Sequence, residues 1–227
     1  MRTRTRMLDG ELLDVDAPGA ATLSTATAVS VVDVDGTELE LTAGPLEVLE
    51  FFLSSTSTTL DRQVTLRNQL TMRHGALGGT PRHGRAFAVE VAEHRVFGSV
   101  PPGLALDDLT VWLGRMTFAS TREGARVDLG PGQSWSATRA HAVAQHVGLD
   151  ADTGYLLDVR RARTRSARAR TAGHAVRGGS LSRSPRSDEH RHVVLDAPEF
   201  VSYGLPLAAT SLDEVATSMS TLTTELA

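Results

Sequence analysis

Apolar and polar positions alternate with a period of two along most of the chain, which predicts strands more often than helices. Val29, Val31 and Val32 lead into Asp33-Val34-Asp35-Gly36-Thr37, and Glu38-Leu39-Glu40-Leu41 alternates on the far side. Asp-Gly between two alternating runs is a favoured two-residue hairpin turn, because both turn positions need positive φ. A hairpin is therefore expected over about 29–41. In residues 63–73, Val64, Leu66, Leu70 and Met72 share one parity, interrupted by Asn68, while Gln63, Thr65, Arg67, Gln69, Thr71 and Arg73 fill the other. That stretch reads as one strand, with a helix as the competing reading because Leu66 and Leu70 are also four apart. Phe87, Val89 and Val91, followed by Val96 to Val100, predict another strand pair. Tyr155, Leu157 and Val159 run on in the same parity into Arg161, Arg163 and Arg165, and 192–195 predicts a returning strand ended by Ala197-Pro198.

Helical spacing appears in three places. Thr42 can cap a helix with Pro45 in its first turn, and Leu46, Leu49, Phe52 and Leu53 supply its apolar face over 45–53. Ala140, Val143, Ala144 and Val147, with Gly148 at a C-cap position, predict a helix over 136–147. Ser211 and Glu214 form a capping-box pair ahead of Leu212, Val215, Met219 and Leu222, which predicts a helix over 211–225. Residues 104–116 satisfy both periods and stay open between helix and strand. The expected class is α+β: a mainly antiparallel sheet, short helices at about 45–53, 136–147 and 211–225, and a long basic loop between two late strands. Residues 1–28 read as an extended arm and 29–227 as a single domain carrying an Arg-rich loop at 160–191. Pro101-Pro102-Gly103 marks a sub-boundary near 101–103.

Composition narrows the chemistry. The 227 residues allow a sizeable core, and with aromatics at 4% that core must come mainly from Val, Leu and Ala. There is no cysteine, which excludes disulfides, thiolate nucleophiles and zinc-thiolate sites. All 23 basic residues are arginine, which excludes Schiff-base chemistry and a P-loop lysine. The usage resembles that of a GC-rich bacterial genome. No apolar run approaches the ~18 residues of a membrane span, and the opening Arg/Thr alternation is not a secretory signal. A cytoplasmic protein without a membrane partner is expected.

Net charge is only −4, yet it is segregated. Met7 to Leu60 holds ten acidic residues and no arginine, whereas Arg160 to Arg191 holds ten arginines against Asp188 and Glu189. Guanidinium suits bidentate contact with phosphate or carboxylate. Arg160, Arg161, Arg163, Arg165, Arg168 and Arg170 are therefore the expected polyanion- or partner-binding set. Nucleic acid is one candidate partner, through phosphate contacts, although no aromatics interleave to stack bases. The acidic N-terminal half of a neighbouring copy is the other candidate. The bland alternative is a solvated loop made Arg-rich by genome composition.

Two short strings carry resemblances. Val31-Val32-Asp33-Val34-Asp35-Gly36-Thr37 resembles the first motif of the haloacid dehalogenase-like phosphohydrolases. That resemblance implies magnesium chemistry, with Asp33 as nucleophile and Asp35 as acid/base. Ser54 or Thr56, Arg95 and Asp107-Asp108 are the residues that could complete such a site. Asp35 to Thr42, followed by Leu46 to Leu53, resembles the strand-to-helix opening of winged-helix response-regulator DNA-binding domains, which implies that 61–74 is a recognition helix exposing Arg62, Arg67 and Arg73. Asp150-Ala151-Asp152-Thr153-Gly154 resembles part of a calcium loop but lacks its terminal glutamate and reads as a turn. The eight histidines are scattered, with His190 and His192 two apart and His141 and His146 five apart, so no metal and no cofactor is expected. No Gly-x-Ser-x-Gly elbow occurs, and no Ser/His/Asp trio is recognisable. The functional expectation is a non-catalytic binding or assembly subunit, as a homo-oligomer or a component of a virion or tail-like particle. The balance is against an enzyme; the phosphohydrolase and the DNA-binding regulator are the rivals.

Overall fold

A computed structural model describes residues 1–162, 173–184, 191–207 and 209–227. In chain order the elements begin with β1 (Arg2–Arg6), β2 (Leu12–Asp16), β3 (Thr22–Leu23), β4 (Thr27–Val34), β5 (Thr37–Gly44) and α1 (Leu46–Ser55). Next come β6 (Arg62–Thr65), β7 (Thr71–Ala76), β8 (Arg85–Val91), β9 (His94–Val100) and α2 (Leu106–Arg115), with two short 3-10 turns between β7 and β8. There follow β10 (Thr117–Thr121), β11 (Gly124–Asp128), β12 (Gln133–Trp135), β13 (Ala142–Gly148) and β14 (Gly154–Arg161). The last are β15 (His174–Val176), β16 (Gly179–Arg183), β17 (Val193–Asp196), β18 (Phe200–Pro206), α3 (Leu212–Met219) and β19 (Thr223–Leu226). The protein is sheet-rich, and the strand pairs given below are antiparallel. Together with its short helices this makes it an α+β protein. Two compact units form: one from residues 1–5, 11–26 and 142–227, the other from 6–10 and 27–141.

In the unit centred on 27–141, one sheet runs in the order β4-β5-β9-β8-β7-β6, with β12 on β4. The β4–β5 hairpin turns at Asp35 (φ 52) and Gly36 (φ 83), the double positive φ expected of Asp-Gly. Val32, Val34, Leu39, Leu41, Met72, Phe87, Val89 and Val96 point from one face into the main core, where Leu109 and Leu113 of α2 and Ala125 and Val127 of β11 join them. Asp107 and Asp108 open α2 and Arg115 closes it, each favourably placed against the helix dipole. On the opposite face Ala86, Ala88 and Phe97 pack with Leu49 of α1 and Leu60. Helix α1 falls close to its expected range, but Thr42 does not cap it. Thr42 stays paired to Phe97 within β5, and Pro45 takes the N-cap position.

Residues 63–73 form two strands rather than one. Asn68, the break in the alternation, lies in the turn between β6 and β7. Its Oδ1 accepts from Leu70 N (3.2 Å), and its Nδ2 donates to Leu113 O (3.2 Å) and Met116 O (2.9 Å).

In the other unit the sheet order is β15-β16-β17-β18-β14-β13, with β3 on β13. Tyr155, Leu157 and Val159 of β14 are buried on one parity, with Val193, Leu195 and Phe200 buried beside them. Helix α3 lies over β18 at Gly204, where a Cβ would stand 2.3 Å from Met219 Sδ. The phenol of the fully buried Tyr155 meets Ser218 Oγ at 3.1 Å, so its polar end is satisfied. A second sheet, β1-β2-β19, completes this unit.

Two expected helices need correction. The helix at 136–147 is strand β13 over Ala142–Gly148, paired along its length with β14. The helix at 211–225 keeps its capping box (Glu214 N to Ser211 Oγ 3.2 Å, Ser211 N to Glu214 Oε2 2.7 Å) but ends at Met219. Beyond it the β-branched Thr223 and Thr224 enter β19, paired to β2. Residues 1–28, expected as an arm, hold β1, β2, β3 and the start of β4. Where a long basic loop was expected, the described part at 174–183 is the β15–β16 hairpin; residues 163–172 and 185–190 lie outside the described residues. Among the described residues, no helix is long and apolar enough to cross a membrane.

Candidate functional site

Of the expected partner-binding arginines, Arg163, Arg165, Arg168 and Arg170 lie outside the described residues. Arg160 and Arg161 end β14, point to opposite faces, and both contact groups of their own chain. Arg160 Nη2 meets Asp158 Oδ2 at 2.6 Å, and its guanidinium sits 5.1 Å from the centroid of the Tyr203 ring. Arg161 pairs with Glu11. Further along the basic segment Arg177 reaches Asp16 (3.6 Å) and Arg183 reaches Asp213 (2.5 Å). Part of the expected attraction between the basic segment and the acidic N-terminal residues is thus made inside one copy.

Antiparallel register explains what surrounds Arg160. Leu156, Asp158 and Arg160 alternate outward along β14, directly opposite Leu205, Tyr203 and Val201 of β18. Leu156 and Leu205, paired across the strands, are 38% and 40% exposed, and Leu207 just beyond is 44% exposed. The His192 ring lies 5.7 Å from that of Tyr203. Two leucines, a tyrosine and an arginine therefore share one outward sheet face.

Asp33 and Asp35, the pair of the phosphohydrolase resemblance, sit in the β4–β5 turn between antiparallel strands, not at the end of a parallel one. Asp33 Oδ1 accepts from Gly36 N at 2.8 Å, which is turn chemistry. The region required as a recognition helix is the β6–β7 hairpin. Asp150 to Gly154 joins β13 to β14 through Leu149 N to Thr153 O at 2.9 Å.

The fold does assemble a Ser/His/Asp trio that was not recognisable along the chain. Ser30 Oγ lies 2.6 Å from His141 Nδ1, and His141 Nε2 lies 3.2 Å from Asp9 Oδ2, with the Trp135 ring edge-on to the imidazole at 5.0 Å. Residues 9, 30 and 141 are so far apart in sequence that no local spacing could announce them. Ser30 is only 1% exposed and sits mid-strand opposite Leu41, so no substrate reaches its hydroxyl. The trio ties strand β4 to two loops as a part-buried polar contact.

A cleft of about 310 Å³ opens where the main-core face of the sheet runs out. Register again explains its content: Arg62 of β6 stands opposite His74 of β7, and Ala76 of β7 opposite Arg85 of β8. Strand parity puts all four on the same face as Met72 and Phe87. Asp61, Pro81, Gly84, Pro101, Pro102 and Leu104 complete the lining. Gly84 takes φ +102, and a Cβ there would stand 2.1 Å from Val100 O, so the wall beside Arg85 needs glycine. His74 is 3% exposed, and its Nδ1 lies 3.0 Å from Arg85 Nη1. Guanidinium can only donate, so Nδ1 accepts and the proton of the neutral ring is on Nε2. Burial, then the positive charges of Arg85 and Arg62, push His74 below the usual histidine range, with Asp61 opposing. Arg85 Nε is buried without a hydrogen-bond partner.

Among the described residues no group of three or more His, Asp or Glu is placed to hold a metal ion. The class defined so far is an α+β protein of two compact units, one bearing an outward apolar and cationic sheet face and the other a cationic cleft. Comparison of the chain with known protein families, with curated proteins and with solved structures finds no match.

Proposed function

We propose that the chain is a non-catalytic binding or assembly subunit that associates with further copies of itself. The observation that carries this reading is the Leu156–Leu205 pair, exposed on a sheet face beside Arg160 and Tyr203. Side chains of these kinds supply the centre of protein interfaces: apolar area surrounded by aromatic and arginine groups that hold several contacts at once. Covering two half-exposed leucines removes apolar surface from water at ~25 cal/mol per Å². The arginine-rich segment adds a salt-sensitive component directed at acidic surface of a neighbouring copy or at another polyanion. A cytoplasmic assembly, or a particle built from many copies, is the setting this reading implies.

Size-exclusion chromatography with light scattering, at low and high salt, tests it. The intact chain is expected to be an oligomer whose affinity falls with salt, and L156E/L205E is expected to weaken association by on the order of a hundredfold. Replacing Arg163, Arg165, Arg168 and Arg170 by glutamine, which leaves the β15–β16 hairpin and its pairing to β17 in place, is expected to abolish the salt dependence. A monomer at every salt concentration, or an oligomer indifferent to both changes, sinks the proposal.

A further inference from the structure

The Arg62–His74–Arg85 cleft has the character of a ligand site rather than of ordinary surface. Its cations are not there to balance a structural carboxylate, since among the described residues neither Arg62 nor Arg85 forms an ion pair. The one acid in the lining, Asp61, offsets one of the two guanidinium charges and leaves the cleft positive. Arg85 is fixed from one side by His74, yet one of its buried N–H groups lacks an acceptor. Buried donors normally find partners, and leaving one unmet costs about 1–3 kcal/mol, so an acceptor supplied by a ligand would be well received. His74 is held by Arg85 through Nδ1, which leaves its Nε2–H as a further donor. The lining also has an apolar part, made by Pro81, Pro101, Pro102 and Leu104.

We infer that this cleft binds a small phosphomonoester, with the phosphoryl group between Arg62, Arg85 and the His74 imidazole and the organic part against the proline wall. The size fits: about 310 Å³ is at the lower end of small-molecule sites and exceeds what a bare phosphate fills. A cleft of this volume lined in part by prolines suits a small molecule better than a polymer backbone, which would need an extended groove. Two guanidiniums and an N–H donor converging on one face also match a tetrahedral dianion better than a planar carboxylate, which a single guanidinium satisfies. The inference is independent of self-association, since no residue of the cleft belongs to the Leu156–Leu205 face.

Titration of the intact chain, followed by histidine NMR and calorimetry, tests it with glycerol phosphate, inorganic phosphate and sulfate as probes. Glycerol phosphate is expected to bind about tenfold more tightly than inorganic phosphate, shifting the His74 resonance, with the difference supplied by the apolar wall. Arg62→Gln, at an exposed edge-strand position, is expected to weaken binding by about tenfold without altering the fold. An anion between the guanidiniums screens them from His74, so binding must raise the His74 pKa. By reciprocity, sulfate, whose charge is constant over this range, is expected to bind more tightly at pH 5 than at pH 8 in the native chain. In His74→Asn that pH dependence is expected to disappear. Equal affinity for glycerol phosphate and inorganic phosphate would overturn the phosphomonoester assignment. Absence of any His74 perturbation by all three probes would overturn the site itself.

Discussion

Asp14 is 2% exposed on β2, yet it is ionised, because two arginines of the neighbouring strand β1 close over it. Arg4 donates from Nε to Oδ1 and from Nη2 to Oδ2, both at 2.8 Å, and Arg2 also contacts Oδ2. The hydrogen bonds from Arg4 come first, and those from Arg2 add to them; together they hold Asp14 at about 2 despite burial, which acts the other way. A carboxylate depressed in the folded state stabilises the fold above its ordinary range near 4, and that contribution is lost as pH falls towards 2. Because both guanidiniums are about half exposed, solvent screening keeps it to about 1–2 kcal/mol. Asp14→Asn is expected to lower stability by that amount at pH 7 and to converge with the native chain near pH 2. Urea melts across pH 2–7 measure it, and a constant gap down to pH 2 would assign the loss to packing instead. The alternating arginines of 2–6 are plain in the sequence, but their partner is not: nothing local sets Asp14 apart from Asp9, Glu11 and Asp16, which the fold pairs with His141, Arg161 and Arg177 instead.

Elements announced by backbone chemistry were legible, and those decided by distant partners were not. Asp35-Gly36, the Ser211–Glu214 capping box and the β8 and β9 alternation each carry their instruction locally, and each forms where expected. Strand β13 shows the other case. Its apolar residues at 140, 143, 144 and 147 have helical spacing, but Ala144 is only partly buried while Val143, Gln145 and Val147 all face inward. A glutamine on the inward parity hid the alternation, and pairing with β14 overrode the helical pattern. The candidate sites were obscured in the same way: Arg62, His74 and Arg85 become neighbours only through the β6-β7-β8 register, and the Arg160–Tyr203 stack only through β14 and β18. Gln145 also makes a prediction. It is 3% exposed, and neither its Oε1 nor its Nε2 has a partner among the described residues. Gln145→Met, similar in volume and apolar, is expected to stabilise the protein by about 1 kcal/mol or more. An unchanged or lowered denaturation midpoint would show that the amide is satisfied by water.

At the level of the whole molecule, the first 26 residues are the decisive test of how this chain holds together. An extended arm could be removed at little cost, because its residues would bury almost nothing. Here Met7, Leu8, Leu13 and Val15 are each 1% exposed or less. Leu8 belongs to the main core of the 27–141 unit, whereas Leu13 and Val15 lie on β2 of the other. Strand β2 also pairs with β19, matching Asp16 to Thr223 and Leu13 to Leu226, so the start and end of the chain form one sheet. Burying each of these side chains is worth about 1.5–3 kcal/mol, and four of them together approach the whole stability of an ordinary domain, about 5–15 kcal/mol. A chain beginning at residue 27 would also strip β19 of its partner and release Arg161 and Arg177 from Glu11 and Asp16. Such a chain is expected to lose its cooperative transition in a thermal melt, or to melt more than about 10 °C lower, with the C-terminal unit cleaved first in limited proteolysis. An unshifted midpoint would return these residues to the status of an arm. Pairing across nearly the full length of the chain also predicts slow folding, because β2 and β19 must close a very long loop before their contacts stabilise anything. Stopped-flow refolding of the intact chain is therefore expected to show its slowest phase in the unit containing β19, reported by hydrogen exchange at Thr223 to Leu226.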